Sequence, residues 1–453
     1  MNNPADKGIG KLWRLIWQAL ASTRLAVGLL AALGLLTLAG TLLPQLPIAV
    51  EESARATWLA LAQQKYGSLY APLRFLGLFE LYHSPGFAAL LVALFVNTAL
   101  CTINRLRALG RMMRKQRLVA LGSLITHVAV ITLLTSLAIL RSEPGRLLAL
   151  LSALALVLGV APSLFSTTRP DQTLNTQPTP RNTQYALPTA PYLSLVTRHS
   201  SLIPWLSTTF SLTLIIALAL RGMAARRWPL GTPFEFTLAF AASVVLAYSL
   251  LSGAAQTSLP GIVAIIFTVL LVLHALFLQP ETARAIQSLP SVMRGLWFAL
   301  HTLFTALAYG ALTLAGDMAL CVMMLSTDEN RTNGRVQTDG RPSNSIVRFS
   351  SVDRAFVDRA MSVGYIALSL GMIAGGIWSA QAWGEPWTWS VKEAWTLIIW
   401  LICTFYYHVR QRRGWRGRGA MYVVVLAMVS VLATFFFTPT LLHWERLQRW
   451  RIY

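Results

Sequence analysis

Acidic side chains are scarce in this chain. Of 453 residues, 17 are Asp or Glu against 38 Lys or Arg, and charged residues of both signs make up only 12%. So little charge in a chain that is 55% hydrophobic excludes an ordinary soluble domain, in which about a quarter of the residues are charged. Cysteine is sparse as well. Cys101, Cys321 and Cys403 stand far apart in apolar runs and form no C-x-x-C and no C-x-x-C-H. That excludes a c-type cytochrome, a thiol oxidoreductase and a zinc module, and leaves small buried hydrophobes. No Walker loop, H-E-x-x-H, G-x-S-x-G or paired-carboxylate constellation occurs. A nucleotide-driven pump and a hydrolase are therefore disfavoured. The polar segments are too short for a separate catalytic domain, and any chemistry must happen in or at a membrane.

What the chain has instead is apolar length. About eleven runs approach the roughly 20 residues that cross a bilayer as a helix. They lie near 25–43, 86–103, 118–140, 147–161, 206–222, 234–252, 261–278, 296–325, 361–383, 394–410 and 419–437. The runs are continuous rather than alternating, which excludes a β-barrel. The fold class is all-α: a polytopic transmembrane helical bundle of about 11 spans.

The formal net charge of +21 does not signal nucleic-acid binding. The Arg residues cluster in short loops between apolar runs, above all Arg105 to Arg117 and Arg412 to Arg418. This is the pattern of cytoplasmic loops under the positive-inside rule. No small-residue cleavage site follows the first apolar run, so the N-terminus reads as a retained anchor. Residues 164–204 are rich in Ser, Thr, Pro, Asn and Gln and read as a linker that buries no core. It separates 1–163 from 205–453. Two further polar stretches, around Glu51 to Tyr70 and Asp328 to Arg359, read as loops. With the Arg412 to Arg418 loop inside, Arg221, Arg226 and Arg227 face outward, against the rule. Either the span count is off by one there, or these arginines bind something anionic.

The densest feature is W-G-E-P-W-T-W-S-V-K-E-A-W-T-L-I-I-W, residues 383–400. It places Trp383, Trp387, Trp389, Trp395 and Trp400 within eighteen residues. The same topology puts this strip, His301 and His443 at the outer membrane surface. Two imidazoles flanking an aromatic floor suit axial ligation of a heme iron, with indoles against the porphyrin. The competing reading is two interfacial histidines beside an aromatic belt. His127 and His408 form a second set toward the cytoplasmic side. His408 shares one helix face with Thr404 and Trp400 at four-residue steps. An ionisable residue within a span is a functional candidate, although a backbone carbonyl can also satisfy each ring. His83 reads as a helix-entry residue, His199 as solvated and His274 as interfacial. Asp317 is the one acid deep in an apolar run, available to an Arg, a His or a small hydroxyl. Lys392 and Glu393 pair with each other or with a ligand carboxylate, or simply open a helix. Gly371 and Gly375 form a small-residue helix-packing pattern.

The strip and its continuation to Tyr407-His408-Val409-Arg410 resemble the tryptophan-rich WWD signature of system II cytochrome c biogenesis proteins. W-P-L-G-T-P-F-E-F (Trp228 to Phe236), the His301 helix and R-G-W-R-G-R-G also resemble the CcsA or ResC component. The stretches S-T-R-L-A-V-G-L-L-A-A-L-G-L-L-T-L-A-G-T-L-L-P-Q and G-L-F-E-L-Y-H-S-P-G-F, with the His127 span, are similar to the partner component, CcsB or ResB. The chain thus resembles a natural fusion of the two, over about 1–140 and 206–443.

The resemblance implies heme transport across a bacterial inner (cytoplasmic) membrane and attachment to the C-x-x-C-H motif of apocytochrome c. Where ligation is active, the protein is a cytochrome c synthase forming thioether bonds to heme b. The resemblance implies His301 and His443 as outer axial ligands and the five tryptophans as the heme surface. It implies His408 as one inner ligand and His127 as the other, with His83 as fallback. A thioredoxin-like thiol reductant and a separate outer-domain partner are the implied associates. The alternative is a non-catalytic heme exporter or assembly factor. The chain departs from the family pattern at three places. Ser390-Val391 stands where Asp-Pro is usual, Trp444 follows His443, and the large outer domain after the third span is missing.

Overall fold

The computed structural model describes residues 15–46, 52–109, 202–252, 259–333, 344–410 and 418–449. Among them there is no strand, and eight helices are long and apolar enough to cross a membrane. These match eight of the expected spans. The ninth, near 394–410, forms a helix too polar to join that count. The two expected at 118–140 and 147–161, and most of the 164–204 linker, lie outside the described residues. Eight of the expected eleven or so spans are thus seen among the described residues. The described residues divide into two compact units, Met1–Gly159 with Ser379–Tyr453, and Val160–Trp378.

The first unit begins with α1 (Thr23–Leu42). Ser22 caps it by accepting from the Leu25 amide at 3.1 Å, a contribution of about 1 kcal/mol. Pro44 ends the apolar run, and the Gln45 side chain takes over its exposed carbonyls. Its amide donates to Gly40 O at 3.2 Å and to Leu78 O at 3.0 Å, while its oxygen accepts from Leu81 N at 3.0 Å. The stretch expected as an outer loop is instead folded. It contains α2 (Glu52–Tyr66), a 3-10 turn (Gly67–Leu69), α3 (Tyr70–Phe75) and a second 3-10 turn (Leu78–His83). Trp58, Ala62 and Tyr66 recur at four-residue spacing and give α2 an apolar face. That face closes a small aromatic core with Tyr70 and Phe79.

Helix α4 (Pro85–Leu109) follows. Its entry is capped by Ser84, whose Oγ accepts from Phe87 N at 3.2 Å. Exposed His83 is only the neighbour of that cap.

The second unit is built around α6 (Pro233–Leu251), which α5 (Leu202–Ala225), α7 (Leu259–Leu273) and α9 (Leu296–Asn333) surround. Phe240, Val244, Val245 and Tyr248 of α6 are fully buried. Helix α7 ends in a π-turn, His274–Leu278, and a short helix α8 (Glu281–Arg284) follows. At Gly310 a Cβ would meet Ser243 backbone at 2.6 Å, so glycine lets α9 cross α6 at close range.

Helix α10 (Asn344–Trp383) starts far earlier than expected, as α9 ends later. Both enter the stretch read as a loop. Residues 344–359 contain neither Gly nor Pro, and Phe356 and Val357 are buried, so the polar sequence continues the helix. The last two helices, α11 (Val391–Arg410) and α12 (Arg418–Arg449), belong to the first unit, where α11 packs along both α1 and α12.

Candidate functional site

In the second unit the site is an imidazole set among glycines. His301 lies one turn into α9, facing Gly371 and Gly375 of α10. Its Nδ1 lies 2.8 Å from the Gly371 carbonyl oxygen. A carbonyl only accepts, so Nδ1 carries a proton, and in the neutral ring Nε2 then carries the lone pair. That is the tautomer an iron-ligating histidine uses, with its other nitrogen anchored to backbone. A Cβ at Gly375 would sit 2.5 Å from Nδ1. The small-residue pattern read as a packing face is therefore also the cradle of this ring. Trp378 lies parallel to His301 at 10°, with centroids 6.2 Å apart. Its indole donates to Val292 O at 2.7 Å, which fixes the ring. Sequence reasoning missed Trp378, although it follows Gly371 by seven residues and so shares its helix face.

The same unit resolves the misplaced arginines. Thr232 and Glu235 form a capping box at the start of α6, with Pro233 at its first position. The Glu235 carboxylate is fully buried and bonded to Arg221 at 2.9 Å and Arg227 at 2.8 Å. Gly231 N also donates to it at 2.8 Å. Arg221 and Arg227 thus bind an anion of their own chain. This cluster ties the start of α6 to the segment after α8, because Arg221 donates to Ala285 O and Arg227 to Gln287 O. Asp317, also on α9, pairs with neither Arg nor His. Its Oδ2 is enclosed without a hydrogen-bonding partner among the described residues.

In the first unit the tryptophan strip is a shaped turn rather than a flat belt. Helix α10 ends at Trp383, which is 64% exposed. Gly384 takes φ 77° and its amide returns to Ala380 O at 3.1 Å, a left-handed helix stop that glycine permits. Three residues before α11, the chain turns again. Glu393 Oε2 accepts from Thr388 N at 2.9 Å, Thr388 Oγ1 at 3.0 Å and Ser390 N at 3.0 Å. Ser390 Oγ accepts from Glu393 N at 3.4 Å. This reciprocal Ser-x-x-Glu arrangement caps α11. Of the readings offered for Lys392 and Glu393 the helix start is the one seen: the Glu393 carboxylate is taken up by the turn, and no pair with Lys392 forms among the described residues.

Between the capped residues, Trp389 adopts φ 56°. A left-handed backbone costs a non-glycine residue about 1–2 kcal/mol, so packing must hold it. Trp389 stacks on Tyr82 at 4.5 Å and 7°, with Phe87 edge-on at 5.3 Å and Trp387 edge-on at 5.7 Å. Tyr82 is itself fixed, its hydroxyl donating to Thr37 O at 3.0 Å. A Cβ at Gly40 would meet that ring at 2.6 Å. The indole N–H groups of Trp387 and Trp395 are enclosed without partners among the described residues. Trp400 is 7% exposed.

Trp400, Thr404 and His408 form the ladder expected on α11. Thr404 Oγ1 donates to Trp400 O at 2.8 Å, and His408 Nδ1 lies 2.8 Å from Thr404 O. His408 therefore has the same tautomer as His301. His443 lies on α12, with its side chain outside the described residues. His127 is outside them altogether. His301 falls in one unit, and His408 with the strip in the other.

Fold and site together define an all-α, multi-pass membrane protein carrying backbone-anchored imidazoles and a tryptophan-rich turn. The Cytochrome C assembly protein family matches residues 231–443, and the ResB-like family matches residues 23–130. The chain is 26% identical over 258 residues to the cytochrome c biogenesis protein CcsA of Prochlorococcus marinus (strain MIT 9303), covering 52% of this chain and 80% of that protein. It is 26% identical over 261 residues to CcsA of Parasynechococcus marenigrum (strain WH8102), covering 54% and 86%. To CcsA of Synechococcus sp. (strain CC9311) it is 28% identical over 268 residues, covering 54% and 87%. His301, His408, His443 and the strip fall in the first matched segment, and Tyr82, Phe87 and His127 in the second. The chain belongs to the system II cytochrome c biogenesis proteins in which a ResB-like and a CcsA-like segment are fused. Its work is the handling of heme in cytochrome c biogenesis.

Proposed function

We propose that the protein carries heme b across a bacterial cytoplasmic membrane and joins it to the C-x-x-C-H thiols of apocytochrome c at the outer surface. His301 and His443 ligate the iron there, and the tryptophan strip forms the floor. His127 and His408 hold heme on its way, from the inner side. The observation that carries this reading is the His301 cradle. Its Nδ1 is anchored to the Gly371 carbonyl at 2.8 Å and its ring is parallel to Trp378, which suits Nε2 for iron. His408 repeats the anchored Nδ1, which supports a second histidine of the same kind.

Ligation adds each thiol across a heme vinyl group. The sulfur bonds one vinyl carbon and the hydrogen goes to the other, so no net oxidant is consumed. The protein's part is to orient the vinyl groups and hold the iron. The substrate thiols must arrive reduced, a task for a thioredoxin-like partner. A separate outer-domain partner supplies the domain this chain does not carry after its third span.

The test is co-expression with an apocytochrome reporter in a strain lacking its own maturation system. Covalent heme on the reporter is the expected result, together with a bis-histidine absorption spectrum of the purified protein. Heme bound without reporter maturation would favour a non-catalytic exporter.

A further inference from the structure

We propose that Ser390 and Glu393 are positioning residues for the strip, acting through Trp389. This rests on the reading of the strip as a heme surface. Three observations carry it. Glu393 gathers three donors from the 388–390 turn into one carboxylate oxygen, and Ser390 returns the bond to Glu393 N. Between them Trp389 holds φ 56°, a conformation that a tryptophan does not keep unless its surroundings impose it. In that conformation one face of Trp389 is stacked on Tyr82, and Phe87 and Trp387 stand nearly perpendicular to it.

Trp389 is thus the pillar on which Trp387 leans, and the capping box sets the pillar's angle. Ser390 stands where the family pattern carries an acid. Ser and Asp are interchangeable as N-cap acceptors, and the Ser390 carbonyl accepts the Ala394 amide at 2.9 Å, as an N-cap residue should. The loss of that acid therefore leaves the strip's geometry standing. The acid that organises the turn is Glu393, and it acts as a hydrogen-bond acceptor rather than by its charge.

The test uses the full chain in its membrane, with two readouts per variant: heme bound per protein, read from the bis-histidine spectrum, and covalent heme on the apocytochrome reporter. Ser390→Ala and Glu393→Ala are expected to lower bound heme by about five- to thirtyfold, the scale of a lost cap. Ser390→Asp and Glu393→Gln restore the acceptors and are expected to stay within about twofold of wild type. On a Trp389→Ala background, Ser390→Ala is expected to add nothing, because the two residues act as one unit. Ala variants with wild-type heme and reporter yield overturn the proposal. So does Glu393→Gln losing as much as Glu393→Ala, since that assigns the effect to charge. Ser390→Asp ligating far better than wild type overturns it as well, since the acid would then have a role in chemistry. A wild-type protein without heme sinks the function and this inference together, whereas heme in wild type and in every variant sinks this inference alone.

Discussion

Trp389 and Tyr82 stack at 4.5 Å with their planes 7° from parallel. One comes from the segment matched by the cytochrome c assembly family and the other from the ResB-like segment. In this chain Trp389 of the tryptophan strip therefore rests on the ResB-like segment.

Separating the two contributions of Tyr82 gives the first prediction. Tyr82→Phe loses the bond to Thr37 O but keeps the stack, and is expected to cost about 1 kcal/mol. Tyr82→Ala loses both and opens space beside Gly40 and Phe87, costing about 3–5 kcal/mol. A double-mutant cycle with Trp389→Ala, read from unfolding in detergent, should return a coupling of about 0.5–1.5 kcal/mol. A coupling near zero would mean that the contact contributes nothing.

Much of this arrangement was legible in the sequence, and the exceptions have physical causes. Apolar length announced eight helices because each run is continuous. The Glu52–Tyr66 helix was read as loop because its apolar face is only a few residues wide, too few to stand out among Glu, Gln and Lys. The polarity of 344–359 reads as loop, but polarity alone says nothing against helix where, as in these sixteen residues, Gly and Pro are absent. The caps at Thr232 and Ser390 are missed by the sequence reading, although T-x-x-E and S-x-x-E stand at both places. What spacing could not show is that Glu235 would gather Arg221 and Arg227, fourteen and eight residues upstream. Nor could it show that Gly371 and Gly375 serve His301, since a ring seventy residues away leaves no periodicity.

Gly375 gives the second prediction. A methyl group there would sit 2.5 Å from His301 Nδ1, so Gly375→Ala must push the imidazole off the Gly371 carbonyl. The helix itself gains about 1 kcal/mol from Ala over Gly, so folded yield is expected to hold. Bound heme should nevertheless fall toward the level of His301→Ala. Absorption spectra of the purified variant, with and without added imidazole, check this; an unchanged bis-histidine spectrum would show that the cradle is not needed.

The buried ion cluster gives the third. Glu235 is wholly enclosed and the Arg227 side chain is 4% exposed, whereas Arg221 is 15% exposed. Glu235→Gln keeps the acceptor for the Thr232 cap but strands two cations, one of them buried. The expected cost is about 3–5 kcal/mol, seen as a lower unfolding midpoint and poor folded yield. Arg227→Met strands the carboxylate only partly, because Arg221 remains, and Arg221→Met should be the mildest of the three. The ranking Glu235→Gln, Arg227→Met, Arg221→Met is the outcome to check.

The fourth prediction concerns His408. Its Nδ1 is anchored to Thr404 O one turn back on α11, so the ring is oriented by the helix that also carries the strip. If His408 holds heme on the inner side, His408→Ala should lower the heme bound to the purified protein and the heme delivered to an apocytochrome reporter together. Added imidazole should restore part of both, because a small base can occupy the space the ring leaves. His127→Ala should behave alike if the two share one iron. The double variant should then lose no more than about what the worse single variant loses, since ligands of one site act as a unit. Thr404→Ala is the control for orientation: it removes a side chain bonded to Trp400 O but leaves the carbonyl that anchors His408, so it should spare heme. Loss in His301→Ala but in neither inner variant would confine heme binding to the outer surface and remove the transport step from the proposed function.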